Sequence, residues 1–246
     1  MKKILEVFLS SLFYLGLGLL LVIFHPVQVI CYNLGGYKSH KRAVEILNYL
    51  ILKEFAILGC SLNFKGFEIL PKGRPLIIIS NHQSTWDISP VVWGFRDFHT
   101  KFVSKISLSK GIPSISYNLR KSGAALIDRK NAQQAVKELI RLGRYIEQNN
   151  YSACIFPEGT RSRDGRVRKF RSTGIKTLLK EAPSALLVPF AIDGNWNLEK
   201  NGAFPMSIGH KLTYTVLEPV DPAGKDIDLL IDEIENRIKR HLGQAD

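Results

Sequence analysis

A long run without charged side chains near the N-terminus is the strongest constraint on this chain. It extends from Val7 to Phe24 and reads VFLSSLFYLGLGLLLVIF. As an α-helix the run would be about 27 Å long at about 1.5 Å per residue, which is borderline for crossing a hydrocarbon core of about 30 Å. Lys2 and Lys3 provide the basic start of a signal peptide, but no small-x-small cleavage site follows. The run therefore predicts a membrane element.

The sequence after this run predicts a second helix. Pro26 is expected to interrupt the first helix, and Gly35-Gly36 has the composition of a turn. Beyond the turn, apolar side chains recur at helical spacing from Ala43 to Leu58. Residues 1–60 are thus predicted to form a membrane-associated helical hairpin.

Basic residues flank the apolar run on both sides. Lys2 and Lys3 precede it, and Lys38, Lys41 and Arg42 follow it. Because this distribution gives no crossing direction, a monotopic hairpin that dips into one leaflet explains the sequence better than a single span does. A tilted span followed by an amphipathic helix is the alternative. We expect both ends of the hairpin, and the rest of the chain, at the cytoplasmic face of the inner membrane.

From about residue 62, short β-like runs alternate with helical patterns. The clearest helical stretches are Asn131 to Gln148, which Asn131 could cap, and Asp226 to Leu242. This alternation predicts one α/β domain over residues 61–246, with a mostly parallel or mixed sheet flanked by helices. The predicted strands are Leu62 to Ile69, Leu76 to Ser80, Lys101 to Ser104, Ala124 to Asp128, Ala153 to Phe156, Ala185 to Ile192 and Lys211 to Leu217.

An excess of basic residues narrows the classes of partner. The chain has 34 Lys and Arg against 22 Asp and Glu, a formal net charge of +12, which favours an anionic membrane surface or a phosphorylated small molecule. Nucleic acid is not expected, because no binding motif or aromatic-interleaved basic surface accompanies the charge. Cys31, Cys60 and Cys154 are far apart and predict neither a disulfide framework nor a zinc site.

The first candidate site follows the strand-like run Pro75 to Ser80, which leads directly into Asn81 and His82. In open α/β sheets, ligands collect at the carboxyl ends of the strands. Asp87 follows at a spacing that lets its carboxylate accept a hydrogen bond from one imidazole nitrogen of His82. The other nitrogen is then free to act as a general base. For an isolated pair, the commoner explanation is an aspartate that caps a helix.

A second strand-like run also ends in a polar loop, and the side chains of this loop suit the binding of a phosphate. Ser152 to Phe156 is followed by the polar loop Pro157 to Ser162. Gly159 permits close approach to the backbone, and Thr160 and Arg161 offer hydroxyl and guanidinium donors suited to a phosphate. A candidate general base at one strand end and phosphate-binding groups at the other favour a single site formed by both.

Four ordered blocks of sequence resemble one family. Asn81–Asp87 (NHQSTWD) and Phe156–Arg161 (FPEGTR), with Gly123–Arg129 between them and Leu187–Phe190 after them, resemble the glycerolipid acyltransferase family. Within it, the bacterial 1-acyl-sn-glycerol-3-phosphate acyltransferases are the most similar group. The resemblance extends from about Lys72 to Asp193, and the shared order makes it specific.

The resemblance implies transfer of a fatty acyl group from a thioester of acyl carrier protein or coenzyme A to the sn-2 hydroxyl of lysophosphatidic acid, forming phosphatidic acid. It implies that His82 removes the hydroxyl proton and that Asp87 orients His82. Since a thioester is already activated, this chemistry requires no cofactor, metal or acyl-enzyme. The residues expected to bind the acceptor are Lys105, Arg129, Glu158, Gly159, Thr160 and Arg161.

One departure from the family pattern lies beyond these blocks. Lys169-Phe-Arg-Ser-Thr-Gly174 has one more residue before its glycine than relatives have, which leaves the direction of Arg171 open. Two other functions also remain open at this stage. They are O-acylation of another lyso-lipid, such as a lyso-aminolipid, and lipid binding by a protein that has lost catalysis.

Overall fold

A computed structural model describes residues 2–244 of the chain and contains one seven-stranded sheet. The strand order is β1-β7-β6-β2-β5-β3-β4, and every neighbouring pair is parallel except β6 and β7. The predicted α/β fold with a mixed sheet is therefore confirmed. The strands are β1 Ser61–Lys65, β2 Leu76–Ser80, β3 Lys101–Lys105, β4 Ala125–Ile127, β5 Ser152–Ile155, β6 Leu186–Asp193 and β7 Lys211–Val216.

The first strand is shorter than predicted. It ends at Lys65 because Gly66 adopts a left-handed conformation (φ 76°) and turns the chain into a 3₁₀ turn over Phe67–Ile69. A Cβ on Gly66 would lie 2.3 Å from the carbonyl oxygen of Val216, so the neighbouring strand also requires glycine here. The apolar residues that follow thus leave the sheet instead of extending it.

Helices cover both faces of the sheet. Side chains of α4, α5 and α7 pack on one face, whereas α1 and α2 pack on the other. The side chain of Asn131 caps α4 by accepting from the N–H of Gln134, as the sequence predicts. The helices are α1 Lys2–Glu54, α2 Ile88–Gly94, α3 Ile115–Lys121, α4 Ala132–Asn149, α5 Ser172–Glu181, α6 Asn195–Glu199 and α7 Ile227–His241.

The long α1 is broken at one residue. Gly36 has φ 65° and ψ −158°, whereas the residues on both sides are helical. The first arm (residues 2–35) and the second arm (residues 37–54) fold back on each other, since the rings of Phe13 and Phe55 lie 5.3 Å apart and those of Tyr32 and His40 lie 5.7 Å apart. The two arms form the expected hairpin, with its turn at Gly36.

The expectation that Pro26 interrupts the first helix is wrong. The first arm continues through Pro26 with helical backbone angles up to the turn. Proline leaves a carbonyl of the preceding turn without its helical donor, and neighbouring groups can compensate for this in an apolar setting. Here Ser114, just before α3, donates its hydroxyl to the carbonyl of Leu21 (2.7 Å), and its N–H to Nδ1 of His25 (3.1 Å).

The first arm packs along the α/β domain and exposes a continuous apolar stripe. Ser10 bonds with the backbone of Met206, and the Tyr14 hydroxyl donates to the carbonyl of Ala203. On the opposite side of the arm, large apolar side chains are exposed from one end to the other. By length and composition this helix could cross a membrane, and only 11% of its most apolar window is buried. A stripe of this size indicates association with a membrane.

Replacing Gly36 by alanine should destabilise the fold. The backbone of Gly36 lies in a region of φ/ψ space that is essentially restricted to glycine, so a Cβ is expected to cost about 1–3 kcal/mol. Gly18→Ala is the matched control, because Gly18 lies in the helical first arm with open space at its Cβ. That change should stabilise the fold by about 0.5–1 kcal/mol. Denaturant unfolding in detergent measures both, and equal stability of the two variants would contradict the assigned turn.

Candidate active site

The two polar loops predicted to form one site do meet. Strands β2 and β5 are adjacent and parallel, with Ile79 opposite Ile155, so their carboxyl ends lie at the same edge of the sheet. The backbone N–H of His82 donates to Oε1 of Glu158 at 2.9 Å, and the N–H of Ser162 donates to the His82 carbonyl at 2.8 Å. The His82 backbone is therefore held on both sides by the loop that follows β5.

Asp87 fixes the orientation of the His82 ring. Its Oδ2 lies 2.8 Å from Nδ1 of His82 and also accepts from the N–H groups of Gln83 (2.6 Å) and Ser84 (3.0 Å). Because the carboxylate acts as an acceptor, Nδ1 carries the proton. Nε2 of His82 is then left unprotonated, on a side chain that is 18% exposed. This is the arrangement of a general base.

The Asp87 carboxylate takes part in a local capping box as well as in the contact with His82. The Ser84 hydroxyl accepts from the N–H of Trp86, and Asp87 accepts from the N–H of Ser84, which forms a capping box at the 3₁₀ turn Thr85–Asp87. The alternative raised from the sequence, in which Asp87 caps the helix that begins at Ile88, is wrong: the Asp87 side chain makes no cap bond to α2 and instead closes the capping box of the preceding 3₁₀ turn. The box fixes where the chain turns after His82, and it thereby holds the carboxylate under the imidazole ring.

A buried amide and a buried phenol complete the surroundings of Asp87. Asn195, in α6, donates from Nδ2 to Oδ1 of Asp87 at 2.7 Å, and the Tyr214 hydroxyl in β7 donates to Oδ1 of Asn195 at 2.9 Å. All three side chains are fully buried. The Tyr214 bond fixes which end of the amide faces Asp87. Sequence analysis missed both residues, since neither lies near the His82 segment in the chain.

An aromatic ring supports the imidazole from one side. The ring of Phe156 stacks on that of His82, with centroids 4.3 Å apart and planes inclined by 21°. Phe156 follows directly after β5, which lies next to β2 in the sheet. This contact, which the sequence did not predict, restricts rotation of His82.

Glu158 supports the backbone of His82 and titrates near neutrality. Its side chain is 4% exposed, and burial raises its pKa to about 7, with the Asp87 carboxylate adding to the increase and the His82 N–H opposing it. Glu158 therefore loses its charge as the pH falls below about 7. Sequence analysis placed this residue with the acceptor, and the structure places its carboxyl group on the backbone of the candidate base.

The other residues of this loop lie at the surface beside His82. Thr160 and Arg161 are exposed, and Arg161 donates to the hydroxyl of Thr85 while its Nη1 lies 3.8 Å from Oε2 of Glu199. Gly159 has φ 75°, and the guanidinium of Arg171 lies 3.6 Å from the position of its missing Cβ. Arg171 is therefore directed to this loop despite the extra residue before Gly174.

Lys105 and Arg129 extend the site along the same edge. Lys105 ends β3, opposite Ile127 in β4, and Arg129 follows two residues later. At about 4.8 Å between strands, β3 and β4 lie about 10 Å and about 14 Å from β2. Both side chains are exposed, and neither pairs with an acidic residue within residues 2–244. They are free to bind an anion at some distance from His82.

Fold and site together define an α/β protein in which a carboxylate-oriented histidine can activate a hydroxyl group. Residues 61–193, more than half of the chain, match the family described as Acyltransferase. This chain belongs to that acyltransferase family.

Individual relatives agree with this assignment. A 1-acyl-sn-glycerol-3-phosphate acyltransferase of Limnanthes douglasii is 28% identical over 229 residues, covering 90% of this chain and 72% of the plant protein. A protein of the same name from Borreliella burgdorferi is 31% identical over 134 residues, 54% of this chain and 52% of its own length. The crystal structure of the 1-acyl-sn-glycerophosphate acyltransferase of Thermotoga maritima aligns with a TM-score of 0.83 and 26% identity, covering 99% of this chain and 97% of that one.

Replacing Asn195 by leucine should slow acyl transfer without weakening acceptor binding. The change leaves a buried oxygen of Asp87 without its donor, which costs about 1–3 kcal/mol and corresponds to roughly a tenfold to a hundredfold loss in kcat. Tyr214→Phe should cause a smaller loss, because Asn195 can still donate. The control is Asn197→Leu, two residues away. Steady-state kinetics test this, and a loss seen mainly in KM would contradict a role in orienting Asp87.

Proposed function

We propose that this protein transfers a fatty acyl group from a thioester to the sn-2 hydroxyl of lysophosphatidic acid and so forms phosphatidic acid. The observation that carries the proposal is the oriented His82, whose Nε2 is available at a sheet edge that also presents Lys105 and Arg129. The named relatives, from plants and bacteria and including a solved structure, act on the same acceptor by their descriptions.

The proposed reaction is a direct attack on the thioester. Nε2 of His82 accepts the proton of the sn-2 hydroxyl while the hydroxyl oxygen attacks the thioester carbonyl carbon. The tetrahedral intermediate then expels the thiolate, which takes the proton back from the imidazolium and leaves as a thiol. Asp87 stabilises the imidazolium through its bond to Nδ1, and the Asn195 amide keeps that carboxylate in place. No cofactor or metal ion is required in this proposal.

The acceptor is proposed to lie along the carboxyl edge of the sheet. Its hydroxyl would face His82, and its phosphate would be bound by Lys105 and Arg129, which have no acidic partner within residues 2–244. Gly159, Thr160 and Arg161 would line the part of the site next to His82, on a loop whose Glu158 supports the base. This geometry favours a phosphorylated acceptor over a lyso-aminolipid, because three cations lie along one edge.

The acyl donor is proposed to be acyl carrier protein or coenzyme A. Either would reach the site from the cytoplasm, and both are anionic. The exposed residues Arg163, Arg166 and Arg168, in the loop that crosses the His82 segment, would attract such a donor electrostatically.

We propose that the hairpin lies in one leaflet of the membrane, on the cytoplasmic face. Residues 7–35 of the first arm carry no charged side chain and form about 43 Å of helix. To fit a core of about 30 Å they would have to tilt by about 46°, beyond the usual range of about 0–40°. The arm also contacts the polar domain from Ser10 to Leu21, which favours a monotopic arrangement over a single span.

Replacing His82 by alanine should reduce formation of phosphatidic acid by a factor on the order of 10³ or more, because the general base is removed. His241→Ala is the matched control, since His241 is exposed in the last turn of α7. Mass spectrometry of purified protein with lysophosphatidic acid and acyl-thioester donors measures the product. Equal product from both variants would sink the mechanism, and product from a lyso-aminolipid alone would sink the proposed acceptor.

The monotopic arrangement predicts that both ends of the first arm lie on the same side of the membrane. Single cysteines at Lys3 and Lys38, in a chain without Cys31 and Cys60, should both react with an impermeant maleimide in inside-out vesicles. Neither should react in right-side-out vesicles. Opposite labelling of the two positions would instead show that the first arm crosses the bilayer.

A further inference from the structure

A half-open cavity lies at the amino edge of the sheet, where the hairpin turn meets the start of β3. Its volume is about 40 Å³, room for about three water-sized groups at about 10–15 Å³ each. Tyr37, His40, Lys41, Arg96 and Lys101 contribute to its lining. Lys101 begins β3 and Lys105 ends it, so about 13 Å of strand separates the cavity from Lys105 in the candidate active site.

Lys101 is buried in this cavity and has no anionic partner among residues 2–244. Lys101 is only 2% exposed, and its ammonium group donates to the hydroxyl of Tyr37. The ammonium lies 4.2 Å from the ring centre of Tyr37 and 4.9 Å from that of Tyr151, so aromatic faces surround it. Burial, assisted by Lys41, lowers the pKa of Lys101 to about 7, as expected for a cation that no anion stabilises.

His40 supplies a second buried group that needs a partner. It is fully buried, and neither of its ring nitrogens makes a hydrogen bond within residues 2–244. A buried polar atom without a partner requires an explanation, and a bound group that fills the adjacent space is one. Glu45 also lines the cavity, but its carboxylate is paired with Lys41 and Arg42 and does not contact Lys101.

We infer that this cavity binds one phosphate group, held by the Lys101 ammonium and the His40 ring, with Arg96 at the mouth. A phosphate supplies several acceptor oxygens and the negative charge that the buried ammonium lacks. An anionic phospholipid headgroup or free phosphate would provide this chemistry. The headgroup is favoured by position, because the exposed Ile30 and Leu34 of the first arm immediately precede the turn at Gly36. This site is separate from the active site and independent of the proposed reaction.

The inference is tested by calorimetric titration of the full chain in detergent. The probes are dihexanoyl phosphatidylglycerol, dihexanoyl phosphatidylcholine and inorganic phosphate. Wild type should bind the phosphatidylglycerol saturably at the cavity, apart from any binding at the proposed acceptor site, and Lys101→Met should weaken the cavity component at least tenfold. The control is Lys225→Met, which removes the same charge from an exposed position remote from the cavity and should bind like wild type.

The three probes separate the sources of the phosphate. Tighter binding of phosphatidylglycerol than of inorganic phosphate identifies a lipid site, and equal binding identifies a free-phosphate site. Absence of saturable binding to wild type overturns the inference, as does unchanged binding by Lys101→Met, which would place the phosphate elsewhere. If Lys101→Met does not fold, Arg96→Gln replaces it. Arg96 is only half-buried, and its loss should weaken binding severalfold, whereas unchanged binding would count against the site.

Discussion

The buried carboxylate of Asp87 is the interaction on which the site depends. A fully buried charge is tolerated only when hydrogen bonds surround it, and here the donors are two backbone N–H groups, the amide of Asn195 and the ring of His82. These donors come from two segments of the chain that lie more than a hundred residues apart. Folding therefore assembles the oriented histidine and satisfies the carboxylate in the same step, which gives the base its fixed tautomer.

The parallel sheet places the His82 segment next to other polar residues along one edge. Because β2, β5, β3 and β4 run in the same direction, the polar residues that follow each of them are placed side by side. His82, Glu158, Lys105 and Arg129 thereby lie in one row. The candidate base at one end and the cations at the other suit the proposed acceptor, whose hydroxyl and phosphate are separated along its length.

The N-terminal hairpin is not a simple appendage to this sheet. Phe13 of the first arm and Phe55 just after the second arm both pack against Trp86, one residue before Asp87. The element that contacts the membrane and the segment that carries the base thus share one hydrophobic cluster. The division of the chain at residue 60, made from composition, remains a prediction, since packing joins the two parts closely.

The sequence by itself determined the strands of the sheet and the candidate pair His82 and Asp87. Strand-length apolar runs and polar strand ends are local properties, so all seven strands and the cap at Asn131 were readable from spacing. The contact of His82 with Asp87 was expected only when the second polar strand end and the resemblance of the surrounding blocks were added to the spacing. Tertiary structure alone decided the rest. Asn195 reaches Asp87 across 108 positions of sequence, and Tyr214 acts on Asp87 only through Asn195. Phe156 reaches His82 across two paired strands. Pro26 likewise lies within the continuous first arm, where Ser114, distant in sequence, donates hydrogen bonds to the Leu21 carbonyl and to the His25 ring. Local spacing cannot specify such partners, because they depend on which elements pack together.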